Sequence, residues 1–409
     1  MKQPLPSRPT FPGTIHYINP KVIPEDADEV LISTFGRLVR WFVVACTLYL
    51  TVIAINLIMD GISGLGFSNL VGLMERAKNP LLCLMIGVLA TFVTQSSTVI
   101  TTITVAAVGG GLVPVESASM LIMGANVGTC FTALLVAYGY FDKPADLPRA
   151  IAAALTHWTF NVLSVVILFP IELAFRPLHH SSAWLANHMV GGTTVSLPTG
   201  GLVEWSVSPV IHVLGMRGLA RFIGSDVAAA ILCILAGSLL IAVGVQLFTM
   251  QLRQLTAFPS HQLLKRFASN SNSIRLEFGF GLGLTLLTHS SSATTCATVP
   301  FAGSGTITTR GALGVVLGAN LGTTITAVFA AFAVPGALGS AALQAALVHV
   351  LFNVAGVVAV LALRPVATFI VNVSDRLARW TVHTHVLGFM VWICLYMAVP
   401  GAVIALLSW

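Results

Sequence analysis

Residues 87–98 read GVLATFVTQSST, and residues 281–292 read GLGLTLLTHSSS. The two stretches align without a gap at a shift of 194 positions, and the residues that match are Gly, Thr and Ser. Chance similarity between two apolar segments would instead match Leu, Val and Ala. The match therefore indicates an internal duplication, with one polar break in the middle of an apolar segment in each copy.

The duplication extends well beyond the serine motifs. Residues 87–133 share 18 of 47 positions with residues 281–327, including GANVGT at 124–129 and GANLGT at 318–323. The copies therefore contain the same motifs in the same order, which indicates two versions of one structural unit.

The composition indicates a membrane protein. The 409-residue chain is 56% hydrophobic and 8% charged, whereas a soluble domain has about 25% charged residues. The net charge of +6 does not indicate a nucleic-acid partner, because the basic residues stand singly at the ends of apolar segments. The six cysteines lie inside apolar stretches, and we expect free thiols with neither a disulfide nor a metal site at them. We also expect no cofactor.

Apolar segments of about 20 residues predict helices that span the bilayer. The stretches around the serine motifs, about 80–110 and 278–305, are interrupted by polar residues and predict re-entrant hairpins. The predicted fold is an all-α polytopic membrane protein with two inverted-topology repeats, each containing a broken hairpin and spanning helices. The spans are expected near residues 41–59, 114–137, 150–173, 227–248, 309–333, 341–363 and 386–407.

The charge distribution predicts the orientation. With a cytoplasmic N-terminus and hairpins that return to their own side, about five Lys or Arg residues face outside and about fifteen face the cytoplasm. The C-terminus is then extracytoplasmic, and the two repeats are inverted. We divide the chain into a cytoplasmic segment (1–40), a first span and connection (41–78), repeat 1 (79–174), an extracytoplasmic loop (175–225), a span and cytoplasmic linker (226–274), repeat 2 (275–364), and an interfacial helix with the last span (365–409).

The serine motifs favour helices that unwind in the membrane. Serine and threonine compete for backbone hydrogen bonds, and an unwound segment exposes N–H groups at the start of its second half-helix, where an anion is stabilised. Carbonyl oxygens and hydroxyls at the same break suit Na⁺. Serine and threonine can also simply join helices, but two copies at equivalent positions favour a binding site.

Two further motif pairs are expected to support the breaks. The glycines of the GAN motifs predict close helix crossings, and we favour hydrogen bonding of Asn126 and Asn320 to the hairpins over direct ligation. HWTFN at 157–161 matches HVLFN at 349–353 at a shift of 192, which places each His and Asn on one helix face. Such buried polar pairs are functional candidates, although structural hydrogen bonding to the hairpin is favoured here.

These motifs resemble those of the type II sodium-dependent phosphate cotransporter family, as a bacterial-type member. The resemblance covers about residues 79–174 and 275–364 and implies Na⁺-coupled phosphate uptake by alternating access in the plasma membrane. It implies that substrate and ions bind at Gln95, Ser96, Ser97, Thr98, His289, Ser290, Ser291 and Ser292, with Gln95, Ser96, Ser97, Ser290 and Ser291 as candidates for Na⁺. Supporting residues are expected at Thr91, Thr94, Asn126, Thr129, His157, Asn161, Thr285, Thr288, Asn320, Thr323, His349 and Asn353.

One residue departs from the family pattern, and several functions stay open. His289 stands where the family usually has glutamine, so a titrating imidazole could make transport respond to protons. The same fold could carry another oxyanion, or could export phosphate, and broken helices also line channels. An intramembrane serine hydrolase fits less well, because duplicated serine runs provide no unique Ser–His pair. The sequence also leaves the oligomeric state open, a homodimer included.

Overall fold

The computed structural model describes residues 34–65, 78–190, 200–218, 222–255, 273–334, 339–384 and 386–407. Two compact units divide after Val39, and the description below concerns the unit Arg40–Trp409. Residues 1–33 of the predicted cytoplasmic segment and residues 256–272 of the predicted linker lie outside the described residues. The described residues form helices and contain no strand.

The helices follow one another with short connections. Repeat 1 contains α2 (Pro80–Thr94), α3 (Ser97–Gly109), α4 (Val115–Tyr138) and α5 (Leu147–Phe175). Repeat 2 contains α9 (Ile274–Thr288), α10 (Ser291–Gly303), α11 (Thr309–Phe332) and α12 (Gly339–Ala362). The remaining helices are α1 (Thr34–Gly64), α6 (Pro177–Val190), α7 (Gly200–Leu214), α8 (Asp226–Leu255), α13 (Arg364–Thr384) and α14 (Val386–Leu407).

Seven helices in the described part of the chain are long and apolar enough to cross a membrane. They are α1, α4, α5, α8, α11, α12 and α14, which coincide with the seven predicted spans. The all-α polytopic fold is therefore confirmed. The inverted orientation of the repeats in the membrane stays a prediction.

The helix boundaries repeat with the sequence. The pairs α2 and α9, α3 and α10, and α4 and α11 begin and end 194 positions apart, while α5 and α12 begin 192 apart. Each predicted hairpin is thus a pair of half-length helices interrupted at its serine motif. The duplication read from sequence is a duplication of four helices.

The predicted extracytoplasmic loop 175–225 contains two helices, α6 and α7, among its described residues. The chain turns at Arg176, which has φ 51°, and Pro177 opens α6. The buried carboxylate of Glu172 accepts hydrogen bonds from the N–H groups of Leu178 (2.7 Å) and His179 (3.0 Å). This cap satisfies the helix start, and the mixed composition of α6 concealed the helix from a search for apolar runs.

Small residues hold the first arm of each hairpin close to the next spanning helix. A Cβ atom at Gly87 would collide with the carbonyl of Leu121, and one at Gly124 would collide with the carbonyl of Leu84. The same relationships recur 194 positions later at Gly281 and Gly318. The close crossings predicted from the GAN motifs are therefore present in both repeats.

The second arms of the hairpins contact both repeats. Helix α3 contacts α4 of its own repeat together with α11 and α12, and α10 contacts α11 of its own repeat together with α5 and the C-terminal part of α4. Each hairpin therefore has its first arm on its own repeat and its second arm between the two repeats. This packing places both serine motifs at the interface between the repeats.

Candidate functional site

Both hairpins break at the serine motifs with the same backbone geometry. Gln95 has φ 53° and ψ 25°, and His289 has φ 49° and ψ 30°. The residues that follow, Ser96 and Ser290, are extended at φ −146° and −148°. The left-handed conformation costs about 1–2 kcal/mol for a residue other than glycine, so its retention at both breaks indicates a constrained geometry.

Serine hydroxyls cap the second arm of each hairpin. Ser96 Oγ accepts a hydrogen bond from the N–H of Val99 at 3.4 Å, and Ser290 Oγ accepts one from Ala293 at 3.2 Å. The first two N–H groups of an α-helix have no partner within the helix. In α3 these groups belong to Ser97 and to Thr98, and in α10 they belong to Ser291 and Ser292.

The exposure of the motifs is also duplicated. Ser97 and Ser291 are buried, whereas Gln95, Ser96, His289 and Ser290 are half-buried. Each break therefore presents a helix N-terminus that is shielded from solvent on one side and accessible on the other. A shielded helix N-terminus favours an anion.

Gln95 is fixed on both ends of its amide. Its Nε2 donates to the carbonyl of Phe92 in the last turn of α2, and its Oε1 accepts from Thr132 Oγ1 at 2.8 Å. Thr132 was not among the predicted site residues. It is, however, one of the positions identical in both copies, since Thr326 occupies the equivalent place, and the repeat alignment was a signal that could have found it.

Threonine hydroxyls form one contact between a hairpin and a spanning helix, and another between the two arms of a hairpin. Thr98 Oγ1 lies 3.3 Å from Thr323 Oγ1 in the other repeat, and Thr285 Oγ1 lies 2.8 Å from Thr294 Oγ1. The buried hydroxyls of Thr91 and Thr129 have no hydrogen-bond partner among the described residues. Thr94 and Thr288 instead bond the carbonyls of their own helices, at 2.9 Å in both copies.

The repeated pattern of His and Asn forms a network across the repeat interface. Asn320 of α11 bonds His157 (2.9 Å) and Asn161 (3.2 Å) of α5. Asn353 of α12 donates to Asn126 of α4 at 3.3 Å.

The predicted partners of these motifs were wrong in one respect. We expected the asparagines and histidines to bond the hairpins, but the bonds above join α5 to α11 and α12 to α4. The reason is the crossed packing of the repeats, which brings the polar faces of the spanning helices together. His349 also lies in this region, buried, with both ring nitrogens unpartnered among the described residues.

Oxygen atoms dominate the chemistry of the breaks. They supply serine and threonine hydroxyls, the Gln95 amide and the carbonyls that end α2 and α9. The described residues contain no cluster of three or more His, Cys, Asp or Glu that could hold a metal ion. Neutral oxygen donors of this kind suit Na⁺.

A cavity of about 120 Å³ lies apart from the serine motifs. It is lined by Lys78, Glu116, Glu172 and Arg176, among others, at the end of repeat 1 where α5 leads into α6. Glu116 lies 3.9 Å from Arg176 and 3.7 Å from His179. The acidic and basic side chains that line the cavity neutralise one another. The hairpin breaks therefore remain the better candidates for a binding site.

Comparisons with known proteins find a matching family and related sequences. The sequence model of the Na⁺/Pi-cotransporter family matches residues 50–182 and 239–396. The chain is 28% identical over 348 residues to sodium-dependent phosphate transport protein 2A of Mus musculus, covering 68% of this chain and 53% of that protein. It is 27% identical over 398 residues to protein 2B of Homo sapiens, covering 76% and 56%.

The chain spans about half the length of the curated relatives it matches. No solved structure matches it.

Proposed function

We propose that this chain, which belongs to the Na⁺/Pi-cotransporter family, is a secondary active transporter that takes up inorganic phosphate together with Na⁺. The observation that carries the proposal is the pair of hairpin breaks with matching backbone angles and matching serine caps. Two such breaks at a repeat interface support one central site. The names of the relatives, which are sodium-dependent phosphate transport proteins, support the choice of solute and ion.

Phosphate suits the donors at the breaks. It presents several acceptor oxygens, and the breaks provide the free N–H groups of α3 and α10 together with the hydroxyls of Ser96, Ser97, Ser290 and Ser291. None of these residues is an arginine or a lysine. Co-bound Na⁺ would therefore supply the positive charge that offsets the anion.

The packing of the hairpins supports alternating access. The second arm of each hairpin lies between the two repeats, so we propose that a movement of one repeat against the other opens one break while it closes the other. The Thr98–Thr323 contact and the Asn320 network lie across this interface. We propose that these contacts rearrange or act as pivots when the site changes sides.

The basic side chains support the predicted orientation. Among the lysines and arginines whose side chains the structure describes, eight lie at the end of the molecule where α5 and α11 begin, and three lie at the opposite end. This excess is typical of the cytoplasmic side. The first group is Arg40, Lys143, Arg149, Arg275, Arg310, Arg364, Arg376 and Arg379, and the second is Lys78, Arg176 and Arg217.

The proposal is tested by uptake of radiolabelled phosphate into proteoliposomes, with and without an inward Na⁺ gradient. Ser96→Ala and Ser290→Ala should each abolish accumulation, while Ser96→Thr should retain part of it because the hydroxyl is kept. Ser238→Ala is the matched control, since its hydroxyl bonds only within α8 at 2.8 Å, and it should transport normally.

Two outcomes would contradict the proposal. If the native protein accumulates no phosphate under a Na⁺ gradient although it is folded, the solute is wrong, and competition among oxyanions should identify another. If the serine variants transport as well as Ser238→Ala does, the breaks do not form the site.

A further inference from the structure

Helix α13 is fixed to the protein along one face. The residues buried on that face are spaced by three or four positions, as expected for one side of a helix. Ser374 Oγ lies 3.0 Å from Thr159 Oγ1 of α5, Thr309 Oγ1 of α11 donates to Asp375 at 3.1 Å, and Trp392 Nε1 donates to Thr381 at 3.0 Å. The buried residues are Ala367, Ile370, Ser374, Ala378 and Thr381.

The rest of α13 is divided into an apolar flank and a polar flank. At 3.6 residues per turn, one side of the buried face carries large apolar residues, of which Phe369 is 53% exposed and Trp380 is 41% exposed. The other side carries polar residues. The apolar flank consists of Val366, Phe369, Val373, Leu377 and Trp380, and the polar flank of Thr368, Asn372, Asp375, Arg379 and His383.

This division indicates that α13 lies along the membrane surface. The helix is 21 residues long but is not among the described helices apolar enough to span a bilayer. An amphipathic helix with aromatic residues on its apolar flank lies in the interface, with that flank toward the acyl chains. Trp380 is then placed at the level of the headgroups, where tryptophan is enriched.

Two arginines stand at this same level. Arg376 lies at the boundary between the two flanks, next to Phe369 and Trp380 of the apolar flank. Arg379 lies within the polar flank, and both arginines are exposed. No described carboxylate forms an ion pair with either of them. The adjacent Asp375 instead accepts the hydrogen bond from Thr309. The two guanidinium groups are therefore available to an anion outside the protein.

We infer that Arg376 and Arg379 bind the headgroup phosphates of anionic phospholipids. An arginine offers a planar pair of donors that matches phosphate oxygens, and the neighbouring Phe369 and Trp380 provide the apolar contact that a lipid needs and a free anion does not. The proposed orientation places α13 on the cytoplasmic side, where the leaflet is anionic. Lipid is thus the occupant that both the charge and the apolar flank fit.

Lipid binding at α13 would also stabilise the repeat interface. The helix packs on α5 and α11, which carry His157 and Asn320 of the polar network. A lipid that binds only the folded protein raises its stability by mass action. We therefore expect anionic lipid to raise the melting temperature of the purified chain, whether or not phosphate is present.

The test measures lipid binding to the full chain in neutral detergent by native mass spectrometry. The probes are phosphatidylglycerol and phosphatidylcholine. The native protein should prefer phosphatidylglycerol, and this preference should fall about fivefold in Arg376→Gln and about 30-fold in the double variant Arg376→Gln/Arg379→Gln. Arg217→Gln removes the same charge from an exposed position outside α13 and should leave the preference unchanged.

Three further measurements distinguish lipid binding from loss of structure and from binding of a free anion. Arg376→Lys/Arg379→Lys keeps the charge and should keep most of the preference, and its melting curve without lipid shows whether the site tolerates substitution. Inorganic phosphate at the same concentration should not displace phosphatidylglycerol. The inference is overturned if the double Gln variant keeps its preference, if Arg217→Gln loses it equally, or if inorganic phosphate competes as well as lipid does. None of these readouts depends on transport.

Discussion

His157 Nε2 lies 2.9 Å from Asn320 Oδ1, although the two residues belong to different repeats. Asn320 Nδ2 donates to Asn161 Oδ1 at 3.2 Å, so Asn320 Oδ1 is the acceptor and His157 carries its proton on Nε2. The equivalent residues of the opposite repeats, Asn126 and Asn353, form a single bond, from Asn353 Nδ2 to Asn126 Oδ1 at 3.3 Å. The two halves of the network are therefore unequal.

This inequality predicts unequal effects of alanine substitution. Asn320→Ala removes two bonds between helices and Asn126→Ala removes one, and each such bond contributes about 0.6 kcal/mol in membrane proteins. Asn320→Ala should therefore lower the melting temperature in detergent more than Asn126→Ala does. Equal melting temperatures for the two variants would show that the bond from His157 contributes nothing.

The contact between Thr98 and Thr323 predicts energetic coupling across the repeats. Their hydroxyl oxygens are 3.3 Å apart and buried, and valine keeps the shape while it removes the bond. The double-mutant cycle of Thr98→Val and Thr323→Val should give about 0.6 kcal/mol of coupling from thermal unfolding.

A third substitution on the same helix controls for the loss of a hydroxyl. Thr102 of α3 is buried and its hydroxyl has no hydrogen-bond partner among the described residues. Thr102→Val should be neutral or stabilising. Additive effects of Thr98→Val and Thr323→Val would mean that the two hydroxyls do not interact.

The tight helix crossings predict which glycines tolerate a methyl group. A Cβ atom at Gly124 or Gly318 would collide with backbone atoms of the hairpin arm, whereas Gly283 of α9 has open space. Gly124→Ala and Gly318→Ala should lower the melting temperature, while Gly283→Ala should raise it slightly, because alanine in a helix is favoured by about 0.5–1 kcal/mol. A loss of stability in Gly283→Ala would show that α9 needs glycine for another reason.

The left-handed backbone at the first break predicts an order among substitutions of Gln95. Glycine accepts φ 53° without strain, whereas a β-branched residue disfavours it. Gln95→Val should therefore be about 1–2 kcal/mol less stable than Gln95→Gly, as measured by thermal unfolding. His289→Val and His289→Gly should repeat the order at the second break.

The Gln95→Gly variant also distinguishes the role of the backbone turn in transport from the role of the Gln95 side chain. Gln95→Gly keeps the turn but removes the amide that bonds Thr132. If Gln95 also contacts the ion or the substrate, Gln95→Gly should fold normally and still lose Na⁺-dependent uptake. Normal uptake by Gln95→Gly would limit the role of this residue to the turn.

Much of the fold was determined by the sequence alone. Period and length of apolar segments predict spans because lipid requires continuous apolar helices, and all seven predicted spans coincide with helices. The serine motifs also predicted the positions of both breaks, at Gln95-Ser96 and at His289-Ser290. By contrast, α6 was missed, because its mixed composition leaves no apolar period to detect.

Only the tertiary structure decided which polar groups meet. The sequence placed His157, Asn161 and Asn320 on helices but not opposite one another, since partners 159 and 163 positions apart depend on how the repeats cross. The attachment of Gln95 to Thr132 and the two flanks of α13 likewise follow from packing. Local composition determines where a helix lies relative to lipid, whereas long-range hydrogen bonds depend on the relative placement of helices that no local pattern records.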